Sequence, residues 1–188
     1  MIDLSWRFDA WFEALPVSPR DVGRVERCVV RTGRGERAIA ASIDVSVELG
    51  VVGDSWSAHP HGTSGNQVSL INVHVLHSLA GGDEQRMALS GDNLHVDLEL
   101  SEANLPVGST LEIGDVVLRV SSMPHRPCRH FVERFGATAA KRVARAWRIG
   151  RRGRGVLCDV VRGGTVRVGD VIGVERATPA ASHLPPPA

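Results

Sequence analysis

Tyrosine is absent from the 188 residues, and phenylalanine and tryptophan supply only four residues each. A surface that interleaves bases with aromatic rings is therefore disfavoured, which weakens a nucleic-acid reading. Charge of one sign is lacking too: 22 Lys and Arg oppose 21 Asp and Glu, leaving a net +1. No global field draws such a chain to nucleic acid or to an anionic membrane. No apolar run approaches the roughly 20 residues of a membrane-spanning helix. The start, Met1-Ile2-Asp3-Leu4-Ser5-Trp6-Arg7, has neither the basic nor the apolar region of a secretory signal. Cysteine is limited to Cys28, Cys128 and Cys158, an odd number without disulfide-like spacing. A reducing, cytoplasmic setting is expected. Also missing are a phosphate-binding P-loop, a dinucleotide fingerprint, a Gly-x-Ser-x-Gly elbow and a Cys-rich iron–sulfur segment.

What is present suits one soluble domain, with 43% hydrophobic and 23% charged residues. Residues 1–21 form an N-terminal arm in which Phe8, Trp11, Phe12 and Leu15 share one helical face, ended by Pro16 and Pro19. This arm is expected to dock on the barrel at 22–176, with a partner-binding helix as the alternative. Residues 177–188, rich in Ala and Pro, read as a disordered tail. In between, β signals dominate: Val25–Arg31, Ile39–Val47, Gln67–Ile71 and the alternating, half-buried Leu94–Leu100. Asn72 can cap a helix through Val73, Leu76 and Leu79 that closes at Gly81-Gly82. Leu111-Glu112-Ile113-Gly114-Asp115-Val116 is echoed by Val166-Arg167-Val168-Gly169-Asp170-Val171, a Gly-Asp bend between apolar alternations. The expected fold is mainly β with peripheral helices (α+β), a compact mixed β-barrel.

Chemistry concentrates in Met123-Pro124-His125-Arg126-Pro127-Cys128-Arg129-His130-Phe131. Two arginines and two histidines within three residues of Cys128 favour its thiolate, the form that attacks electrophiles and binds soft metals. Pro127 suits a first helical position, with Phe131, Val132 and Phe135 as the apolar stripe, so Cys128 is placed in the first turn. A second helix is expected over Ala137–Trp147. The alternative for Cys128 is a small buried hydrophobe, as expected for Cys28 and Cys158 in apolar strands. Asp92 and Asn93, after Gly91, either offer a carboxylate and an amide at a strand mouth or form an ordinary turn. The run from Lys141 to Arg154 holds seven basic residues and no acid. It reads as a phosphate site, a nucleic-acid contact or a solvated helix face. His59, His61, His74 and His77 complete no zinc pattern, although His59 and His61 can edge a pocket.

The ordered set of Gly33-Arg34-Gly35-Glu36-Arg37, Gly50-Val51-Val52-Gly53-Asp54, Gly91-Asp92-Asn93, Leu105–Asp115, Pro127-Cys128-Arg129, Arg154–Val160 and Gly164–Asp170 resembles the MOSC domain family. That family is named after the C-terminal domain of molybdenum-cofactor sulfurases. The resemblance covers about residues 22–176. Ser55-Trp56 stand where many members have an arginine, and Asp92 where many have a glutamate, as in small stand-alone members. The resemblance implies a MOSC-type barrel that binds the molybdenum cofactor (molybdopterin), with Cys128 as metal ligand or sulfur carrier. It assigns Arg37, Asp92, Asn93, His125, Arg126 and Arg129 to cofactor binding, and puts the Asp92–Asn93 turn near Cys128. It further implies an oxidoreductase that reduces N-hydroxylated compounds or a sulfur-transfer protein, with a small-molecule substrate and a separate electron- or sulfur-donor protein. Pyridoxal phosphate binding is a wider association of the family, and a non-catalytic module for an anionic pterin is the alternative.

Overall fold

The computed structural model describes residues 5–56 and 65–177. The elements along the chain are α1 (Ser5–Glu13), β1 (Val22–Val30), β2 (Ala38–Ala40), β3 (Ser42–Ser46), β4 (Gly50–Val51), β5 (Val68–Asn72), α2 (Val73–Ala80), α3 (Glu84–Ala88), β6 (Leu94–Asp97), β7 (Thr110–Ile113), β8 (Val116–Val120), α4 (Arg129–Arg148), β9 (Val156–Arg162), β10 (Gly164–Arg167) and β11 (Val171–Glu175). Seven strands close in the order β11-β7-β8-β9-β5-β6-β1, sealed by the antiparallel β1–β11 pair. The parallel β5–β6 pair makes the barrel mixed, and its crossover carries α2 and α3. β2 extends the barrel from β1, while β10, β3 and β4 form a small separate sheet. Closure leaves few open edges for stray pairing.

The barrel interior is aliphatic. Val25, Leu70, Leu94, Val96, Leu111, Ile113 and Leu118 are fully buried in it. Each such side chain contributes about 1.5–3 kcal/mol on leaving water. A second apolar layer lies outside the barrel, where Ile71, Leu76 and Met87 meet Phe131, Phe135 and Val143 of α4. Asn72 caps α2 as expected, its side-chain oxygen accepting from the His74 and Val75 amides at 3.0 and 3.1 Å. Gly81 ends that helix in the left-handed region, φ 69°.

Four sequence expectations change. Ile39–Val47 divides at Ala41 into β2 and β3, because the first half pairs with β1 and the second with β10 and β4. Leu94–Leu100 stops pairing at Asp97, and it is not half-buried: His95 lies in register with Ile71 under the helical layer and is fully buried. The first Gly-Asp echo turns β7 into β8 as a hairpin, whereas the second carries the chain from β10 in one sheet to β11 in the other. The N-terminal arm docks on the helices rather than on the barrel. Trp11 and Phe12 pack into the helical layer, Trp11 Nε1 donates to Ser78 Oγ at 3.0 Å, and Arg145 pairs with Asp9 at 3.1 Å. The tail at 178–188 and the His59–His61 loop lie outside the described residues.

Candidate functional site

The segment leaving β8 reaches α4 through His125-Arg126-Pro127, and Cys128 stands at the N-cap of that helix. Pro127 therefore precedes the cap and does not open the first turn. The Cys128 side chain makes no capping hydrogen bond, and the residue is exposed. Phe131 and Phe135 are buried and stacked, centroids 4.8 Å apart, but Val132 points to solvent at 39% exposure. Gly136 (φ 87°) kinks α4 just ahead of the expected second helix. Arg129 and His130 both reach Glu133, at 2.8 and 3.0 Å, which balances part of the positive charge around the thiol. Those contacts, His130's first and then Arg129's, hold the Glu133 carboxyl below its usual range. Cys28 and Cys158 are buried as expected, and burial pushes their thiols up to about 11 and about 12.

Gly91, φ 80°, swings the chain from α3 into β6 and leaves Asp92 and Asn93 fully buried. Asn93 is committed on both sides of its amide. Its oxygen accepts from the Ser69 amide at 3.2 Å and the Ser69 hydroxyl at 3.1 Å, and its nitrogen donates to Val29 O at 3.3 Å and Asp54 Oδ2 at 2.9 Å. Asp54, from the Gly53-Asp54 motif, also accepts from the Arg31 amide and side chain at 2.9 and 2.8 Å. Asp54 and Asn93 thus fasten the ends of β1, β5 and β6 together.

Asp92 belongs to a different set of contacts. Its Oδ2 accepts from Arg154 at 2.5 Å, and its Oδ1 lies 3.7 Å from His125 Nε2. The expected approach of the Asp92 turn to the cysteine segment is made through His125. Two residues separate His125 from Cys128, so their Cα atoms lie within about 11 Å. Burial raises the Asp92 carboxyl and the Arg154 charge opposes that rise. Burial, reinforced by Arg154 and Arg31, holds His125 well below its usual range, so the imidazole is neutral at pH 7.

Arg37 comes up beside Gly91, where a Cβ would stand 3.4 Å from the guanidinium. Burial lowers the Arg37 pKa, and the neighbouring Arg134 and Arg31 add to the effect. Around Gly91, Arg31, Arg37, Arg134 and Arg154 face the carboxylates of Asp54 and Asp92. Four positive charges against two negative leave a surplus of two. Among the described residues, the buried Arg37 Nε, Arg154 Nε, Asp92 Oδ1 and His125 Nδ1 have no hydrogen-bond partner. Arg154 is buried and Arg31, Arg37 and Arg134 are half-buried, and such a cationic cluster with orphaned donors is the chemistry of an anion site.

In the sequence Arg154 is the last cation of the basic run and opens the Arg154–Val160 motif, with no site role of its own. It is buried, donates to Ser90 O at 3.1 Å and stands 4.8 Å from the Phe131 ring, so it ties the Ser90–Asp92 turn to the first turn of α4. Its signal was a guanidinium placed between Gly153 and Gly155, with no bulk to hold it at the surface. Most of the basic run is spent on structure: Arg142 stacks on Trp11, Arg151 on Phe12, and Arg152 donates to Leu105 O at 2.6 Å. Arg126 lies over the Trp147 ring at 5.2 Å. No group of three metal-ligating side chains occurs among the described residues, and none of their helices is long and apolar enough to cross a membrane.

The family model of the MOSC domain matches residues 58–173, more than half of the chain. The chain belongs to the MOSC domain family. Solved structures share the fold: YuaD from Bacillus subtilis aligns with TM-score 0.64 at 19% identity, over 86% of this chain and 100% of that one. YiiM from Escherichia coli aligns with TM-score 0.55 at 18% identity, over 82% of this chain and 71% of that one. YiiM from Geobacillus stearothermophilus gives 0.55 at 12% identity, over 81% and 75% of the two chains. No curated protein sequence matches this MOSC chain.

Proposed function

We propose that this MOSC protein binds the molybdenum cofactor at the Cys128 end of its barrel and acts on a small molecule there. The observation that carries the reading is the half-buried cationic cluster with its unpartnered Arg37 Nε and Arg154 Nε, next to a segment that ends in an exposed thiol. The residues fit the group: the surplus of arginines suits the phosphate of an anionic pterin, and a thiolate is a soft ligand for the metal. Cys128 would hold the metal, while Arg37 and Arg154 would bind the anionic end. His125, neutral and set against Asp92, can donate or accept one hydrogen bond at the mouth. Arg126 and Arg129 are the exposed cations beside the thiol. When bound, the cofactor would supply oxygen-transfer redox chemistry, as in the reduction of N-hydroxylated compounds. Electrons would then come from a separate donor protein. Pyridoxal phosphate fits less well, because the one lysine of the sequence, Lys141, is exposed on α4.

The exposure of Cys128 also favours a second reading, in which the thiol carries sulfur as a persulfide received from a donor protein. Metal analysis after expression in a host that makes the cofactor separates these readings. About one molybdenum per chain in the wild type, lost in Cys128→Ser, supports the ligand role. A wild type free of molybdenum whose Cys128 takes up sulfane sulfur supports the carrier. Neither result leaves a non-catalytic pterin-binding module, which pterin analysis of the same preparation detects.

A further inference from the structure

We propose that a cleft between the cysteine segment and α4 binds a planar anion, an aromatic ring that carries a carboxylate. The cleft measures about 350 Å³ and is lined by His125, Arg126, Pro127, Ala144, Trp147 and Arg148. That is within the roughly 300–1,000 Å³ typical of small-molecule sites. Ala144, Trp147 and Arg148 fall at i, i+3 and i+4, on one face of α4. The methyl of Ala144 leaves space where a larger residue would fill the cleft. The half-buried indole of Trp147, with the Arg126 guanidinium over its ring, supplies an aromatic wall beside which a flat ring can pack.

The charges identify the rest of the ligand. Arg129, Arg145 and Arg154 are each paired with a carboxylate at 2.5–3.1 Å. Arg126 and Arg148 border the same cleft, and neither has an acidic partner among the described residues. Two guanidiniums without an acidic partner, that of Arg126 lying over the Trp147 ring at 5.2 Å, match a carboxylate joined to a ring, since the guanidinium fork binds carboxylates in a bidentate manner. Pro127 lines the cleft and precedes Cys128 directly, so their Cα atoms are about 3.8 Å apart. A ligand in the cleft therefore sits at the rim of the thiol. Its role as substrate rests on the function proposed above, but its binding does not.

The test uses the full chain, 2-naphthoate as the probe and 2-naphthamide as its uncharged counterpart, with binding read by equilibrium dialysis. Saturable binding of naphthoate is expected, at least tenfold tighter than the amide. Arg126→Ala and Arg148→Ala should each weaken it about ten- to a hundredfold, since charge-assisted hydrogen bonds are the stronger class. Ala144→Leu should abolish it with the melting temperature preserved. Absence of saturable binding to the folded wild type overturns the proposal, as does equal affinity for the amide or unchanged affinity in Ala144→Leu. Molybdenum content is read separately on the same preparations. Lost naphthoate binding with molybdenum retained overturns the cleft alone, and binding without molybdenum overturns the cofactor reading alone.

Discussion

His95 buries both ring nitrogens with no partner among the described residues, and burial, with Arg27 and Arg154 nearby, pulls it down to about 3. An unfolded histidine titrates near 6.5. The folded pKa is depressed, so the unfolded chain takes up the proton first: stability is complete above about pH 6.5 and is lost as pH falls toward 3. The loss approaches at most roughly 4–5 kcal/mol at the acid limit. His95→Leu should keep or raise stability at pH 7.5 and flatten the decline, read as the urea midpoint at pH 7.5 and pH 5.0. An equal decline in both proteins would remove His95 as the cause. The Asp92–Arg154 pair behaves in the opposite manner, because each partner answers the other's buried charge. Arg154→Met should cost about 3–5 kcal/mol, and Asp92→Asn on that background should recover much of it. A double variant no better than the single would mean that the pair is not coupled. Local pattern pointed to Cys128 and the Asp92 turn and the family resemblance to His125, while Arg154 stood out only as one cation of a basic run. Its burial depends on a partner 62 positions away, and no local rule encodes that distance.

Elements with a local cause were legible, and elements defined by distant pairing were not. The α2 helix follows from Asn72 at its start and Gly81 at its end, and the kink in α4 from Gly136. The split at Ala41 had no local mark, because β2 and β3 differ only in which strand each one meets. The same holds for Gly155, which reads as a turn residue but serves a close approach. At φ 90°, a Cβ there would lie 1.9 Å from Leu70 O on β5. Gly155→Ala must therefore push β9 away from β5 or strain the backbone, with a cost of several kcal/mol expected. The fold survives only if the barrel can open locally. Thermal unfolding checks this, and a melting temperature within about 2 °C of wild type would contradict the close approach. At α1, Trp11 joins the apolar layer, a hydrogen bond to Ser78 and the Arg142 guanidinium. Trp11→Ala should lower stability by about 1–3 kcal/mol, measured by urea unfolding, and leave the barrel strands intact by far-ultraviolet circular dichroism.

A molecule with a net charge of +1 nevertheless gathers four arginines against two acids at one end of its barrel. Like charges crowded at a half-buried site oppose folding, so the cluster carries a cost that a bound anion would relieve. The loaded protein should for that reason be more stable than the same chain made in a host blocked in molybdopterin synthesis. A ligand present at about 1,000 times its dissociation constant adds about 4 kcal/mol. For a chain of this size that corresponds to a rise of roughly 8–16 °C in melting temperature. Arg37→Ala and Arg154→Met should both shrink the difference between loaded and unloaded protein, whatever they do to the unloaded chain alone. Cys128→Ser should shrink it through the metal, with any pterin anion still held by the cluster. Equal melting temperatures in the two hosts, with molybdenum present in the first preparation, would show that the arginines are matched within the fold itself. The unpartnered Arg37 Nε and Arg154 Nε argue against that outcome, because a buried donor without an acceptor costs about 1–3 kcal/mol that an anion would return.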